Sequence, residues 1–151
     1  MGFIPNNATW FLADLVVTRS IEDDPRTVVH INTVLVRAES AEEAYLRATE
    51  IGREEEHTYE NTDGKLVTVV FRGLRELAVI HDELEHGAEL MYRERVALTE
   101  EEIRQIETPK EWLSVFAPRK ASNGPNYMPG SVMNMLKRSG MSESEIAGEE
   151  S

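Results

Sequence analysis

The stretch that decides the fold is TWFLADLVVTRSIEDDPRTVVHINTVLVRA, residues 9–38. Its two ends, Thr9 to Thr18 and Val28 to Ala38, are rich in aromatic, aliphatic and β-branched residues, a composition typical of strands. Between them lies the polar stretch RSIEDDPR, whose aspartates and proline favour a turn. The pattern therefore predicts a long β-hairpin.

The register of this hairpin decides which side chains share a face of the sheet. If the loop centres near Glu22, cross-strand partners have residue numbers that sum to about 44, which sets Leu15 opposite Val29 and Asp14 opposite His30. Strand side chains alternate between faces, so one face becomes apolar and the other becomes mixed in polarity. The predicted mixed face contains Trp10, Leu12, Asp14, Val16, His30, Asn32, Val34 and Arg72.

A helix is expected next, in SAEEAYLRATEIGREEE, residues 40–56. Ser40 and Glu43 have the spacing of a capping box, and apolar residues then recur at helical spacing. The helix should end between Gly52 and His57, before the turn signal NTDGK. From Lys65 the pattern predicts two strands or one long strand bent at Gly73.

The remainder of the chain predicts weaker elements. Residues 88–96 alternate in polarity and suggest a further strand. TEEEIRQI and TPKEWLSVF each open with a capping box, Thr99 with Glu102 and Thr108 with Glu111, and predict two short helices. The expected apolar contacts of this pair are Ile103, Ile106, Trp112, Leu113 and Phe116. From Pro118 the composition turns to Pro, Gly, Ser and Asn, which indicates a linker and tail over 118–151. Within this tail, residues 131–139 have the pattern of a short amphipathic helix, whose apolar contacts would be Val132, Met135 and Leu136.

Together these signals predict an α+β fold with a single domain over residues 1–117. An antiparallel sheet of four or five strands should carry one main helix on one face, with short C-terminal helices and an extended tail. We expect the main helix to cover the face that contains Phe11, Leu15, Ile31 and Val69.

Composition and charge exclude several classes of function. The 151 residues include no cysteine, so no disulfide or thiol nucleophile is available. The formal net charge of −12 opposes contact with phosphate backbones, so we expect no direct nucleic-acid binding. No stretch approaches the length of a spanning helix, and the start lacks a secretion signal, so we expect a cytoplasmic protein with no membrane contact.

Two groups of residues resemble chemical sites. In HDELEHGAEL, residues 81–90, the histidines are five apart rather than four, so the zincin spacing is not met and we interpret the stretch as a hairpin turn, with no metal. The predicted pairing of Asp14 with His30 would orient an imidazole, but no nucleophile accompanies it. A simple cross-strand hydrogen bond and a ligand contact both remain open. We expect no cofactor and find no complete catalytic set.

The strand around Trp10, the helix start SAEEAY and the stretch FRGLRELAVI together resemble a bacterial family known as domain of unknown function 4288. The resemblance covers about residues 8–98. It implies a small bacterial α+β domain and supplies no activity, substrate or cofactor.

The leading functional hypothesis is a small acidic binding or regulatory protein, not an enzyme, that acts through protein contacts. Its partner would be a basic protein, as for an immunity or inhibitor protein, or a second copy of the chain. Trp10, Asp14, His30, Asn32 and Arg72 would form the contact face, with the apolar residues of the tail helix as a second contact. The alternative is a small-molecule-binding protein or enzyme that uses Asp14, His30 and Arg72. A third hypothesis is a mimic of nucleic acid.

Overall fold

The computed structural model describes residues 9–117 and 124–130. These residues fall into two compact units, one formed by 9–91 with 124–130 and the other by 92–117. The first unit contains the sheet and the main helix.

The sheet has four strands, all antiparallel, in the order β2-β1-β4-β3. They are β1 (Trp10–Ile21), β2 (Val28–Arg37), β3 (His57–Glu60) and β4 (Leu66–Val79). Helix α1 (Ala41–Glu54) connects β2 to β3. This arrangement confirms the α+β class. The fifth strand predicted over 88–96 is absent from those residues, and β3, which the sequence pattern did not indicate, forms directly after α1.

The predicted hairpin forms, but its register was wrong by three residues. Trp10 lies opposite Arg37 and Arg19 lies opposite Val28, so partner numbers sum to 47 rather than 44. The cause is the length of β1, which continues to Ile21 because β4 pairs with it there. The turn then forms later, with Asp23 at a φ of 64°. An odd shift moves every β2 side chain to the opposite face.

Strand β4 contains two β-bulges. Arg72 and Arg75 are each an extra residue without a partner on β1, at the two positions where the register shifts. Gly73, which was predicted as a bend, lies between these two residues and has a φ of 134°. Bulges bend a strand and increase its local twist, so β4 curls as it runs along β1.

The core lies between the sheet and α1, on what we call the helix face. Small residues of α1, namely Ala44, Ala48 and Gly52, are buried there and allow the helix to approach closely. Fully burying an aliphatic or aromatic side chain contributes about 1.5–3 kcal/mol, so the sheet residues of this cluster dominate its stability. They are Phe11, Ala13, Leu15, Val17, Val36 and Val69. Ile31, which was predicted on this face, lies on the opposite one, which we call the outer face.

Local contacts fix the start of the connection between β2 and β3. The Ser40 side chain caps α1 by accepting from the Glu43 backbone N–H at 3.1 Å. Arg47 forms an ion pair with Glu43 at 3.0 Å and also donates to the Arg37 carbonyl at 2.8 Å, which joins α1 to the end of β2.

The second unit contains helix α2 (Glu100–Ile106) and a 3-10 turn, Lys110–Trp112. The capping box of α2, formed by Thr99 and Glu102, is confirmed. The box predicted at Thr108 is not, since Pro109 is the N-cap there and no side chain caps the turn. Trp112 is 67% exposed. The predicted apolar residues of this region therefore do not form a buried core of their own.

The close approach of α1 generates a stability prediction. A Cβ at Gly52 would lie 2.4 Å from the Phe71 ring. Gly52→Ala gains helix propensity of about 1 kcal/mol, but overpacking typically costs about 1–3 kcal/mol. We therefore expect a net loss of about 1 kcal/mol in the free energy of unfolding, measured by urea denaturation.

The double variant Gly52→Ala/Phe71→Leu is the control for this prediction. Removing the ring removes the clash, so the alanine should cost less in the Phe71→Leu background than in the wild type. Equal costs in both backgrounds would show that the ring does not limit the approach of α1.

Candidate functional site

The structure separates the residues that were predicted to form one mixed face. Trp10 and Asp14 lie on the outer face, where the Arg37 guanidinium sits 5.7 Å from the Trp10 ring centroid. His30 lies on the helix face, opposite Val17, and Asn32 lies there opposite Leu15. The predicted pairing of Asp14 with His30 is therefore wrong.

The remaining predicted residues also have other neighbours. Asp14 accepts from the Thr33 hydroxyl at 2.6 Å, across the strand pair on the outer face. Asn32 donates to the Glu55 carboxylate at 3.4 Å, at the C-terminal end of α1. Arg72 is an exposed bulge residue of β4. Val132, Met135 and Leu136 lie outside the described residues.

A different group of side chains converges at His30. The ring of Tyr127 meets the His30 ring edge-on, with centroids 5.4 Å apart. The Arg19 guanidinium lies 5.7 Å from the centroid of the same tyrosine ring, and its Nη1 donates to the Tyr59 hydroxyl at 3.1 Å. The Tyr59 hydroxyl in turn donates to the Tyr127 carbonyl. We call Arg19, His30, Tyr59 and Tyr127 the arginine cluster.

Regular strand geometry brings three of these side chains together. Arg19 lies opposite Val28 on β2 and Val69 on β4, and His30 lies two residues further along β2, on the same face as Arg19. Tyr59 belongs to β3 and lies opposite Val67 of β4. Strands β1 and β4 are central in the sheet. Side chains from the two edge strands, β2 and β3, therefore extend toward Arg19 on the helix face.

The fourth member comes from residues 124–130, which we call the docking segment. Asn61 is buried and donates through Nδ2 to the Asn126 carbonyl at 2.9 Å. Thr62 donates its backbone N–H to the Met128 carbonyl at 3.1 Å. Pro129 forms an isolated β-bridge with Asn61. The composition had placed this stretch in a linker, yet it contacts the turn after β3 and covers the arginine cluster.

Burial perturbs the electrostatics of the cluster. His30 has its pKa lowered below the ordinary value of 6.5, first by burial and second by the positive charge of Arg19. The neutral imidazole is therefore favoured near neutral pH. The Nε of Arg19 is buried and has no hydrogen-bond partner. A buried donor without a partner is costly, and such atoms are rare in folded proteins.

The stretch His81–Leu90 forms a turn. Gly87 has a φ of 86°, and the Ala88 N–H donates to the Glu85 carbonyl at 3.0 Å. His81 and His86 are both exposed. Within residues 9–117 and 124–130, no three potential metal ligands are grouped closely enough to hold a metal ion. The turn is confirmed, but the hairpin is not, because no strand follows in residues 88–96.

Comparison with known proteins places the fold in a family. Residues 10–92 match the family model described as Domain of unknown function (DUF4288). The chain belongs to this family. The DUF4288 match spans all four strands and α1 but ends before the docking segment. Neither the curated proteins nor the solved structures gave a significant match.

Among the residues that the structure describes, no helix is long and apolar enough to cross a membrane.

Sequence reasoning missed Arg19, Tyr59 and Tyr127. Arg19 was assigned to the hairpin loop because the apolar run ends at Thr18, whereas it is a paired strand residue. Tyr127 is separated from Tyr59 by 68 positions, and no local pattern connects them. The one local signal is Tyr127 itself, which has a proline two residues away on each side. An aromatic residue is unusual in a polar linker.

The lowered pKa of His30 predicts a pH-dependent stability. The unfolded chain binds the His30 proton more tightly than the folded chain, so the folded state loses stability as the pH falls from about 6.5 through the lower folded pKa. His30→Gln removes this proton. We expect the variant to lose less free energy of unfolding than the wild type between pH 7 and 5, measured by urea denaturation at each pH. Parallel pH profiles would contradict the assignment.

The anchor of the docking segment generates a second prediction. Asn61→Asp keeps the side-chain oxygen that accepts from the Asp63 and Lys65 backbones but loses the donor to Asn126. A lost buried hydrogen bond costs about 1–3 kcal/mol, so the segment should detach while the sheet stays folded. Limited proteolysis after Tyr127 should become faster. Glu60→Gln, at the adjacent exposed residue, is the control and should leave the cleavage rate unchanged.

Proposed function

We propose that this protein is a small acidic binding or regulatory protein that acts through protein contacts, and that strand β2 is its contact edge. The observation that carries this proposal is a ten-residue edge strand with three exposed apolar side chains on its outer face, most of whose outward backbone groups have no partner among the described residues. An exposed edge of this kind can pair with a strand of another chain.

Backbone geometry identifies the unpaired groups. The Ala38 N–H donates to the Thr9 carbonyl at 2.9 Å. In an antiparallel pair every second residue is hydrogen-bonded to the neighbouring strand, so the even-numbered residues of β2, from Val36 back to Val28, bond to β1. The residues between them point their N–H and C=O groups away from the sheet. The carbonyl of Arg37 is taken by Arg47. The groups that remain for a partner are the N–H and C=O groups of Val29, Ile31, Thr33 and Leu35, and the N–H of Arg37.

Side chains on this edge suit an interface better than solvent. Val29, Ile31 and Leu35 are 56%, 44% and 45% exposed on the outer face. Edge strands normally carry charges or proline that prevent association. Strand β2 has no proline, and its only residue charged at neutral pH is Arg37, at its end. By contrast, the other edge strand, β3, has four residues and is followed directly by the β-bridge to the docking segment.

The charge of the chain favours a basic partner. Asp and Glu outnumber Lys and Arg by 28 to 16, and the exposed side of α1 carries Glu42, Glu50 and Glu54. Opposite charge accelerates encounter and favours the correct partner over others. An immunity-type or inhibitor-type protein, which neutralises a basic protein, is the concrete form of this proposal.

The small-molecule alternative that used Asp14, His30 and Arg72 required these side chains to converge. Asp14 lies on the outer face, His30 lies on the helix face and Arg72 is at a bulge of β4. The small-molecule hypothesis therefore has no geometric basis in these three residues.

Variants of β2 test the proposal. Ile31→Lys adds a charge to the outer face of the edge. Thr33→Pro removes an outward N–H without breaking a backbone bond to β1, and it also loses the side-chain bond to Asp14. We expect both to weaken binding of a partner captured from the source organism by about tenfold or more, measured by calorimetry with the purified partner. Thr58→Lys, on the exposed side of β3, is the matched control and should bind normally.

Light scattering during size exclusion separates the two kinds of partner. A basic partner should co-elute with the wild type at low salt and dissociate as salt rises. A wild-type dimer that Ile31→Lys converts to a monomer would instead identify a second copy as the occupant of β2. Partner binding that survives all β2 variants would refute the contact edge.

A further inference from the structure

One edge of the Arg19 guanidinium is unused. An arginine carries five N–H donors in a planar fork. The Nη1 of Arg19 is engaged by the Tyr59 hydroxyl at 3.1 Å, and Nε has no partner. Nη1 is by definition the nitrogen cis to Cδ, so the Nε–H points to the same side as Nη2. The free edge is therefore the Nε/Nη2 pair, which is the geometry that binds two oxygens at once.

The described part of the chain supplies no anion for this edge. Within residues 9–117 and 124–130, the ion pairs involve Arg26, Arg47, Lys65 and Arg104, and no carboxylate comes within 4 Å of Arg19. This is unexpected in a chain with 28 acidic and 16 basic residues. Arginine stays protonated in proteins, so the partly buried charge of Arg19 has no counter-ion among these residues.

The charge of the cluster selects the class of anion. Arg19 contributes one positive charge, and His30 is held neutral by burial and by Arg19 itself. A single negative charge with two coplanar oxygens matches one guanidinium edge. Polyanions would be repelled by the net charge of −12 on the chain. These features favour a monocarboxylate over a phosphate.

The docking segment contacts the guanidinium of this arginine. The Tyr127 ring centroid lies 5.7 Å from Cζ, and the Tyr127 carbonyl accepts from the Tyr59 hydroxyl that also engages Nη1. Because Nε is inaccessible to solvent, a ligand can reach it only after a neighbouring side chain moves, and Tyr127 is the ring in contact with this guanidinium. The segment is held at its other residues by Asn61 and Thr62, so the ring can move while its anchor stays.

We propose that the Nε/Nη2 edge of Arg19 binds a carboxylate, and that Tyr127 closes over this edge when the carboxylate is absent. This site lies on the helix face and is independent of the β2 contact edge, so either proposal can fail without the other.

Side-chain NMR of the full chain tests the site directly, because the Nε–H group of each arginine gives its own signal. Sodium acetate, sodium phosphate and sodium chloride are the titrants, at constant ionic strength. We expect acetate to shift the Arg19 Nε–H signal and the Tyr127 amide signal to saturation, and chloride to shift neither. Arg19→Lys keeps the charge but loses the fork, so its Tyr127 shift should need at least about tenfold more acetate. Arg53→Lys, on exposed α1, should match the wild type.

Tyr127→Ala tests the closure. Without the ring, the edge is open, so acetate should bind several-fold more tightly, while the sheet amide signals show that the fold is retained. Weaker binding in this variant would refute closure by Tyr127. A shift that never saturates, or that is equal for all arginines, would refute the site. Phosphate binding as tight as that of acetate would overturn the assignment to a carboxylate.

Discussion

The whole sheet depends on the pairing of β1 with strands on both sides. Strand β1 is bonded to β2 through residues 10–19 and to β4 through residues 11–21, so its backbone groups are satisfied along nearly its full length. This double pairing sets the end of β1 at Ile21, and with it the register of the hairpin. The register then decides that Val34 and Val36 of β2 join Phe11 and Leu15 on the helix face, while Ile31 and Leu35 lie on the outer face.

Two arginines in β4 show how the same pairing shapes the sheet. Arg72 and Arg75 have no partners on β1, so β4 uses more residues than β1 over the same distance. The extra residues bend β4 and increase its twist. Curling of this kind turns the helix face inward, which lets a single helix with small residues, Ala44 and Ala48, cover the core.

The sequence predicts which secondary-structure elements form better than it predicts how the strands pair. The hairpin, α1 with its Ser40 cap, and the bend at Gly73 follow from local patterns, because they depend on residues near one another in the chain. The register does not, since it depends on β4 pairing with residues 19–21. An error of three residues was enough to join His30 with Asp14, which lie on opposite faces. The arginine cluster could not be predicted from the sequence, because Tyr127 comes from a segment whose composition indicates a linker.

The late position of the docking segment in the chain sets the order in which contacts can form during synthesis. All four strands and α1 are complete by Val79, whereas Tyr127 follows much later in the chain. Synthesis proceeds at about 5–20 residues per second, so a few seconds separate the emergence of the two parts from the ribosome. Small domains fold in microseconds to seconds, so the sheet has time to form in this interval. A sheet that forms then lacks Tyr127, and Arg19 and His30 lack its ring contacts until the docking segment arrives.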